Sequence, residues 1–220
     1  MLKRFLFLAV AALAISARPA SATSITVTTD TTFTVNWLNT VTNPDLSGSA
    51  VFTIANLTAT GFDLTVSGVT NSTVATPDIN ARLISFGFGL TPNFTTYNNV
   101  INGSVFSWGF TNFPGFGSVD VCGFSGSNCA GGGGTGLGVG ETQAGSMSIH
   151  FNGNFTDGVT FSPIPAKFQT ANGSLEFEGC IGSCGTVREL DPPTVPEPAS
   201  LVLFGSGLAL AAAKLRRKAA

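Results

Sequence analysis

Between two apolar terminal stretches, this chain repeats a single pattern of apolar residues at every second position, in short runs broken by turns. Ser24 to Thr29, Phe33 to Leu38, Ala50 to Leu57 and Phe62 to Ser67 all follow it and are rich in Val, Ile, Thr and Phe. A period of two places alternate side chains on opposite faces of a strand, whereas an amphipathic helix needs a period near 3.6. No stretch between the terminal segments keeps a helical period over a useful length, so the chain between them is expected to be all-β.

Further strands are predicted at Arg82 to Phe88, Val100 to Phe110, Ser118 to Val121, Gln143 to Phe151, Asn154 to Phe161, Ala166 to Thr170 and Ser174 to Phe177. Ile84, Phe86 and Phe88 share one face of their strand and are candidate core residues. Thr40 to Ser49, with Asn43-Pro44-Asp45 and Gly48, reads as a loop, and Thr58 to Gly61 as the turn of a hairpin. About ten short strands with turn signals every 8–12 residues predict an antiparallel β-sandwich, jelly-roll or immunoglobulin-like.

The last stretch, Val195 to Ala220, has a different character. Pro196-Glu197-Pro198 opens the stretch, sixteen uncharged residues lie between Glu197 and Lys214, and Arg216, Arg217 and Lys218 follow. As a helix at about 1.5 Å per residue the run would be roughly 24 Å long. A hydrocarbon core is about 30 Å thick, so a single transmembrane helix over about residues 199–215 is marginal and needs its basic ends to snorkel. The prolines cannot sit inside a regular helix and leave the turn exposed just outside the bilayer. This order of turn, apolar helix and Arg-rich end resembles the PEP-CTERM sorting signal of exported bacterial proteins. The resemblance covers 26 of 220 residues. It implies recognition of Pro196, Glu197, Pro198, Arg216 and Arg217 by exosortase, a membrane-embedded transpeptidase-like enzyme. It also implies an inner-membrane intermediate and final delivery to the cell surface or extracellular space, with exopolysaccharide a candidate partner in a biofilm matrix. The Gram-positive sortase signal has the same layout but needs an LPxTG-like motif, which is missing. A plain tail anchor is the simpler alternative.

The start of the chain agrees with export. Lys3 and Arg4 precede an eleven-residue apolar run, Phe5 to Ile15, and Ala20-Ser21-Ala22 forms a cleavage site, so the Sec translocon is an expected partner and cleavage is predicted between Ala22 and Thr23. The expected organisation is a signal peptide over 1–22, an exported domain over 23–188, a Pro-stiffened linker over 189–194 and the sorting signal over 195–220.

Composition limits what the domain can do. Seven of the ten Lys and Arg residues lie in the terminal signals. From Thr23 to Thr194 only Arg82, Lys167 and Arg188 stand against eleven carboxylates, a formal charge of −8. Such a domain has no electrostatic footprint for nucleic acid. Low charge with nineteen Phe suits an extracellular β-protein.

Each candidate for chemistry has a plainer alternative. His150 is the lone histidine and would serve a hydrolase as base, but no Gly-x-Ser-x-Gly elbow accompanies it. Gly123-Phe-Ser-Gly-Ser127 comes nearest, and a polar residue on a strand's outer face is the plainer role for His150. Glu176 and Glu178 share a strand face, yet glycosidase carboxylates must converge across a cleft. Ala130 to Gly140 holds seven glycines without the Lys of a phosphate-binding loop and reads as a flexible connection. Cys122, Cys129, Cys180 and Cys184 lack zinc-site spacing, and export places them in an oxidising compartment. Of three connectivities, the local pairing of Cys122 with Cys129 and Cys180 with Cys184 is expected, because short loops close easily. Six Asn-x-Ser/Thr sequons, at Asn56, Asn71, Asn93, Asn102, Asn154 and Asn172, follow from composition, while Trp37, Trp108 and Tyr97 would stack on sugars if exposed. The expected protein is non-enzymatic, uses no cofactor or metal, and acts at the cell surface or in the extracellular matrix. The alternative is a secreted carbohydrate-active hydrolase or carbohydrate-binding module.

Overall fold

The alternation in sequence becomes an alternation of burial. In β2 (Thr31–Asn39) Phe33, Val35 and Trp37 are buried while Thr32 and Thr34 between them are exposed. β3 (Leu46–Thr58) buries Leu46, Gly48, Ala50, Phe52 and Ile54 on the same period, and β4 (Gly61–Asn71) adds Phe62, Leu64 and Val66. This computed structural model describes residues 23–40, 45–74, 80–131 and 135–184. The chain divides into two compact units, Met1–Val187 and Arg188–Ala220, and all the described residues belong to the first. The expected signal peptide, linker and C-terminal span lie outside the described residues. Among those described, every regular element is a strand, and no helix is long and apolar enough to cross a membrane.

Three antiparallel sheets form. β7 (Phe94–Ile101), β10 (Met147–Gly153) and β14 (Cys180–Ile181) complete the six-stranded sheet in the order β14-β2-β3-β4-β10-β7. β5 (Arg82–Phe88), β8 (Ser107–Gly109), β9 (Val121–Phe124), β12 (Pro165–Thr170) and β13 (Gly173–Glu178) make a five-stranded sheet in the order β13-β12-β5-β9-β8. A small sheet joins β1 (Ile25–Val27), β11 (Val159–Phe161) and β6 (Leu90–Thr91).

Aromatic rings fill the space between the sheets. Phe52 lies 5.4 Å from Phe33 in its own sheet, 6.4 and 5.7 Å from Phe86 and Phe88 in the five-stranded sheet, and 6.4 Å from Phe161 in the small sheet. Trp37 reaches Phe86 at 5.7 Å, and its indole N–H donates to the Ile164 carbonyl at 2.9 Å. The two large sheets therefore meet face to face over one core. A second, smaller cluster of Phe113, Val119, Cys122 and Cys129 packs at Gly87, where an added Cβ would come within 2.7 Å of Val119 and 3.0 Å of Phe113.

The structure revises three sequence expectations. The segment read as a loop over Thr40 to Ser49 contains the start of β3, whose ladder with β2 runs back to Leu46 opposite Asn39. Gly48 is a close-approach residue, since a Cβ there would sit 2.8 Å from the Thr70 carbonyl and 3.1 Å from the Phe168 ring. On β5, Ser85 pairs with Lys167 but Leu83 pairs with Phe168, so one residue, Ile84, is left over. This bulge breaks the alternation. Leu83 joins Phe86 and Phe88 in the main core, and Ile84 packs under Gly131 and Gly136. The glycine-rich segment is accordingly docked at its described end, because Leu137 exchanges both backbone hydrogen bonds with Leu83, at 2.9 and 3.0 Å, and is buried.

Candidate functional site

The outer face of the six-stranded sheet is polar and has only small or medium side chains in its middle rows. Thr32, Thr53, Thr65 and Ser148 stand in one cross-strand row and Asn36, Ser49 and Thr70 in another. Hydroxyl-to-hydroxyl bonds tie parts of these rows, as between Thr32 and Thr53 at 3.1 Å.

At one end of this face lies its only cluster of ionisable side chains among the described residues, and it is built by register. β10 pairs with β4 so that His150 stands opposite Asp63, 87 residues away in sequence, and its Nδ1 lies 2.6 Å from Asp63 Oδ1. The other Asp63 oxygen accepts from Asn56 Nδ2 at 2.6 Å. Asn56 occupies a bulge in β3 with φ of 54°, and Asp30 receives the backbone N–H groups of Asn56 and Leu57 at 3.1 and 2.9 Å. The Asn56 hydrogen bond is the main reason the Asp63 carboxyl is held below its ordinary pKa, with His150 adding to it against some desolvation. This network ties three strands, β3, β4 and β10, to the turn that precedes β2. It brings His150 a carboxylate, but the Ser125 of the elbow-like stretch belongs elsewhere, since its buried hydroxyl donates to the Ile84 carbonyl at 2.9 Å beside β9.

The other candidates sort by burial and partner. Glu176 is engaged with Lys167 at 2.9 Å, across the β12–β13 pair. Trp37 and Trp108 are core residues whose indole N–H groups are bonded to the carbonyls of Ile164 and Ser148 at 2.9 and 3.0 Å. Tyr97 is different. It is 43% exposed on the edge strand β7, and its ring stacks on Phe110 at 3.8 Å. Next to that pair opens a cleft of about 270 Å³ lined by Asn93, Thr111, Asn112 and Asp120 together with Phe94 and Phe110. Of the sequons, Asn71 is fully buried and its side chain donates to the carbonyls of Ala81 and Leu137. No group of three or more metal-binding side chains occurs among the described residues.

The cysteines pair locally, Cys122 with Cys129 and Cys180 with Cys184, with Cα separations of 5.8 and 5.5 Å. The second pair starts within β14, which is fastened to β2 at the sheet edge, and closes just beyond it. Beyond it the chain enters the stretch that carries Pro196, Glu197, Pro198, Arg216 and Arg217. Those residues lie outside the described structure, as do Ala22 and the leader before it, and Thr23 is the first residue described.

Residues 194–218 match the family model of the PEP-CTERM protein-sorting motif. The chain carries a PEP-CTERM sorting motif. The match encloses the Pro-Glu-Pro turn and both arginines. It marks the chain as an exported protein directed toward the cell surface and processed by exosortase. No curated protein and no solved structure matches the chain. Of the residues that matter here, the sorting motif was readable because it is contiguous. The network from Asp30 to His150 was not, because only strand register brings it together.

Proposed function

We propose that this PEP-CTERM protein is a non-enzymatic component of the cell surface or extracellular matrix, an antiparallel β-sandwich exported through Sec. Its C-terminal run over about 199–215 holds it briefly in the inner membrane, where exosortase acts at Pro196-Glu197-Pro198. The match at 194–218 carries this reading. An oxidising destination agrees with two disulfides, and a −8 domain suits a surface that must stay dispersed. The outer face, rows of hydroxyl and amide groups with one ionic cluster of Asp63 and His150, fits a structural module. The test is replacement of Pro196-Glu197-Pro198 by three alanines. Membrane insertion should persist while precursor still bearing Arg216 and Arg217 accumulates in the inner membrane. If the triple variant reaches the surface as efficiently as wild type, the tail is a plain anchor.

Tyr97 and the cleft beside it favour a second reading, carbohydrate binding by the same domain. An exposed ring with amide, hydroxyl and carboxylate groups nearby is the arrangement that stacks on and hydrogen-bonds a sugar. In affinity electrophoresis through neutral polysaccharide, Tyr97→Ala should abolish any retardation of the wild-type domain. Absence of retardation across a panel of polymers removes this reading and leaves the first intact.

A further inference from the structure

The cleft beside Tyr97 has a charge as well as a shape. Asp120 is the one ionisable side chain that lines it, in company with the amides of Asn93 and Asn112, the Thr111 hydroxyl and the rings of Phe94 and Phe110. Asp120 stands one residue before β9 and is fixed against the end of β5. Its backbone N–H donates to the Phe88 carbonyl at 3.1 Å, and its Oδ2 accepts from the Leu90 N–H at 2.9 Å. Oδ1 has no hydrogen-bond partner among the described residues. The two described Lys and Arg side chains are engaged elsewhere, Lys167 with Glu176 at 2.9 Å and Arg82 with the Gly136 carbonyl at 3.0 Å. At the rim, the Tyr97 ring stacks on Phe110 at 3.8 Å with only 13° between the planes, which orients it while leaving the residue largely in solvent.

We propose that this cleft takes an amino sugar, a unit of a polysaccharide whose amine is free and protonated. The ammonium group pairs with Asp120 Oδ1, the ring hydroxyls meet Asn93, Thr111 and Asn112, and a neighbouring sugar stacks on Tyr97. This rests on the reading of the domain as carbohydrate-binding and adds the charge of the ligand to it. The cleft volume of about 270 Å³ falls just below the roughly 300–1,000 Å³ of sites for drug-sized ligands, which suits a single sugar ring. The rest of the polymer runs on over exposed β7. The aromatic rings work in the same direction as the carboxylate, because their faces attract an ammonium group. A neutral sugar would satisfy the amides and the stacking surface but leave the carboxylate unanswered. A uronate would set a second negative charge against Asp120, on a domain whose formal charge is already −8.

The test is calorimetric titration of the full-length chain, kept in a polyoxyethylene detergent, with three tetrasaccharides: β-1,4-linked glucosamine, its N-acetylated form and β-1,4-linked glucose. The glucosamine tetramer should bind about 2- to 5-fold tighter than the other two, the gain of one partly exposed ion pair. Asp120→Asn keeps an acceptor for the Leu90 N–H and removes only the charge, so it should erase that preference and leave binding of the glucose tetramer unchanged. Asp45→Asn, at an exposed acid ahead of β3 that does not line the cleft, should leave the preference intact. Equal binding of all three tetramers, or a preference that survives Asp120→Asn, overturns the amino-sugar site; in the second case the amine is drawn only by the domain's overall charge. Binding of none of the three overturns the carbohydrate reading itself.

Discussion

Phe52 is where the architecture is most exposed to a single substitution. It is fully buried in the middle of β3 and touches rings from all three sheets, Phe33, Phe86, Phe88 and Phe161. Phe52→Ala removes the ring from the point where the sheets converge, and neighbours held by three separate ladders cannot collapse into the space. The cost of such a truncation is about 3–5 kcal/mol. For a domain of this length each kcal/mol lowers Tm by about 2–4 °C, so a fall of roughly 6–20 °C is expected. Phe52→Leu keeps most of the volume but forfeits the ring pairs, and should cost about 1–3 kcal/mol. The neighbouring Thr53→Ala, on the outer face, loses only a hydroxyl contact to Thr32 and should cost about 0.5–1.5 kcal/mol. Urea unfolding followed by fluorescence of the buried Trp37 and Trp108, without reductant, gives all three values from midpoints at constant slope. If Phe52→Ala costs no more than Thr53→Ala, the three sheets do not share the core described above.

Other expectations are as direct. Asp63 has a depressed folded-state pKa, so its contribution is present above the ordinary carboxyl range near pH 4 and is lost as pH falls through the lower folded value. The Tm difference between wild type and Asp63→Asn should therefore be full at pH 6 and vanish toward pH 2, and a difference constant across that range would contradict it. Gly48→Ala places a methyl 2.8 Å from the Thr70 carbonyl and should cost about 1–3 kcal/mol by chemical denaturation. Gly68→Ala is a control for backbone strain alone, because its φ is 59° but its Cβ site is open. The disulfides close sequence separations of only 7 and 4 residues, so replacing either pair by alanines should cost less than the roughly 3 kcal/mol expected for a 15-residue loop. Non-reducing peptide mapping should show Cys122–Cys129 and Cys180–Cys184, and a Cys122–Cys180 peptide would refute the pairing.

What was legible in the sequence was local. Arg82 to Phe88 reads as a strand because seven residues carry the pattern, and its bounds agree with β5. The Ile84 bulge in that strand depends on how β12 pairs with it, which no pattern within β5 records. Gly48 looked like a turn signal because sequence shows a missing side chain without showing that Phe168 and Thr70 lie against the gap. Leu137 was hidden among glycines, although one large apolar residue in such a run is itself a sign of docking. The cysteine pairs were accessible because short separations favour closure before any tertiary contact forms. Asp63 and His150 were accessible only as types, since their partnership needs the β4–β10 register.

The C-terminal edge of the domain also sets how load would enter it. β14 holds β2 through only two ladder positions, Cys180 with Asn36 and Ile181 with Val35, helped by Gly182 N–H to the Thr34 carbonyl at 3.0 Å. A ladder that short would peel open from its end, one bond at a time. The Cys180–Cys184 bridge changes the path of the tension, because a pull arriving beyond Cys184 crosses the sulfurs and bears directly on Cys180. Residues 181–183 are bypassed and cannot be stretched out as slack. Just upstream, Gly179 N–H is bonded to the Ile164 carbonyl at 3.0 Å, the same oxygen that receives the Trp37 indole. A pull applied to the chain beyond Cys184 is thus handed to the core by way of a covalent clip, and the domain would yield as a whole before it frayed at that edge.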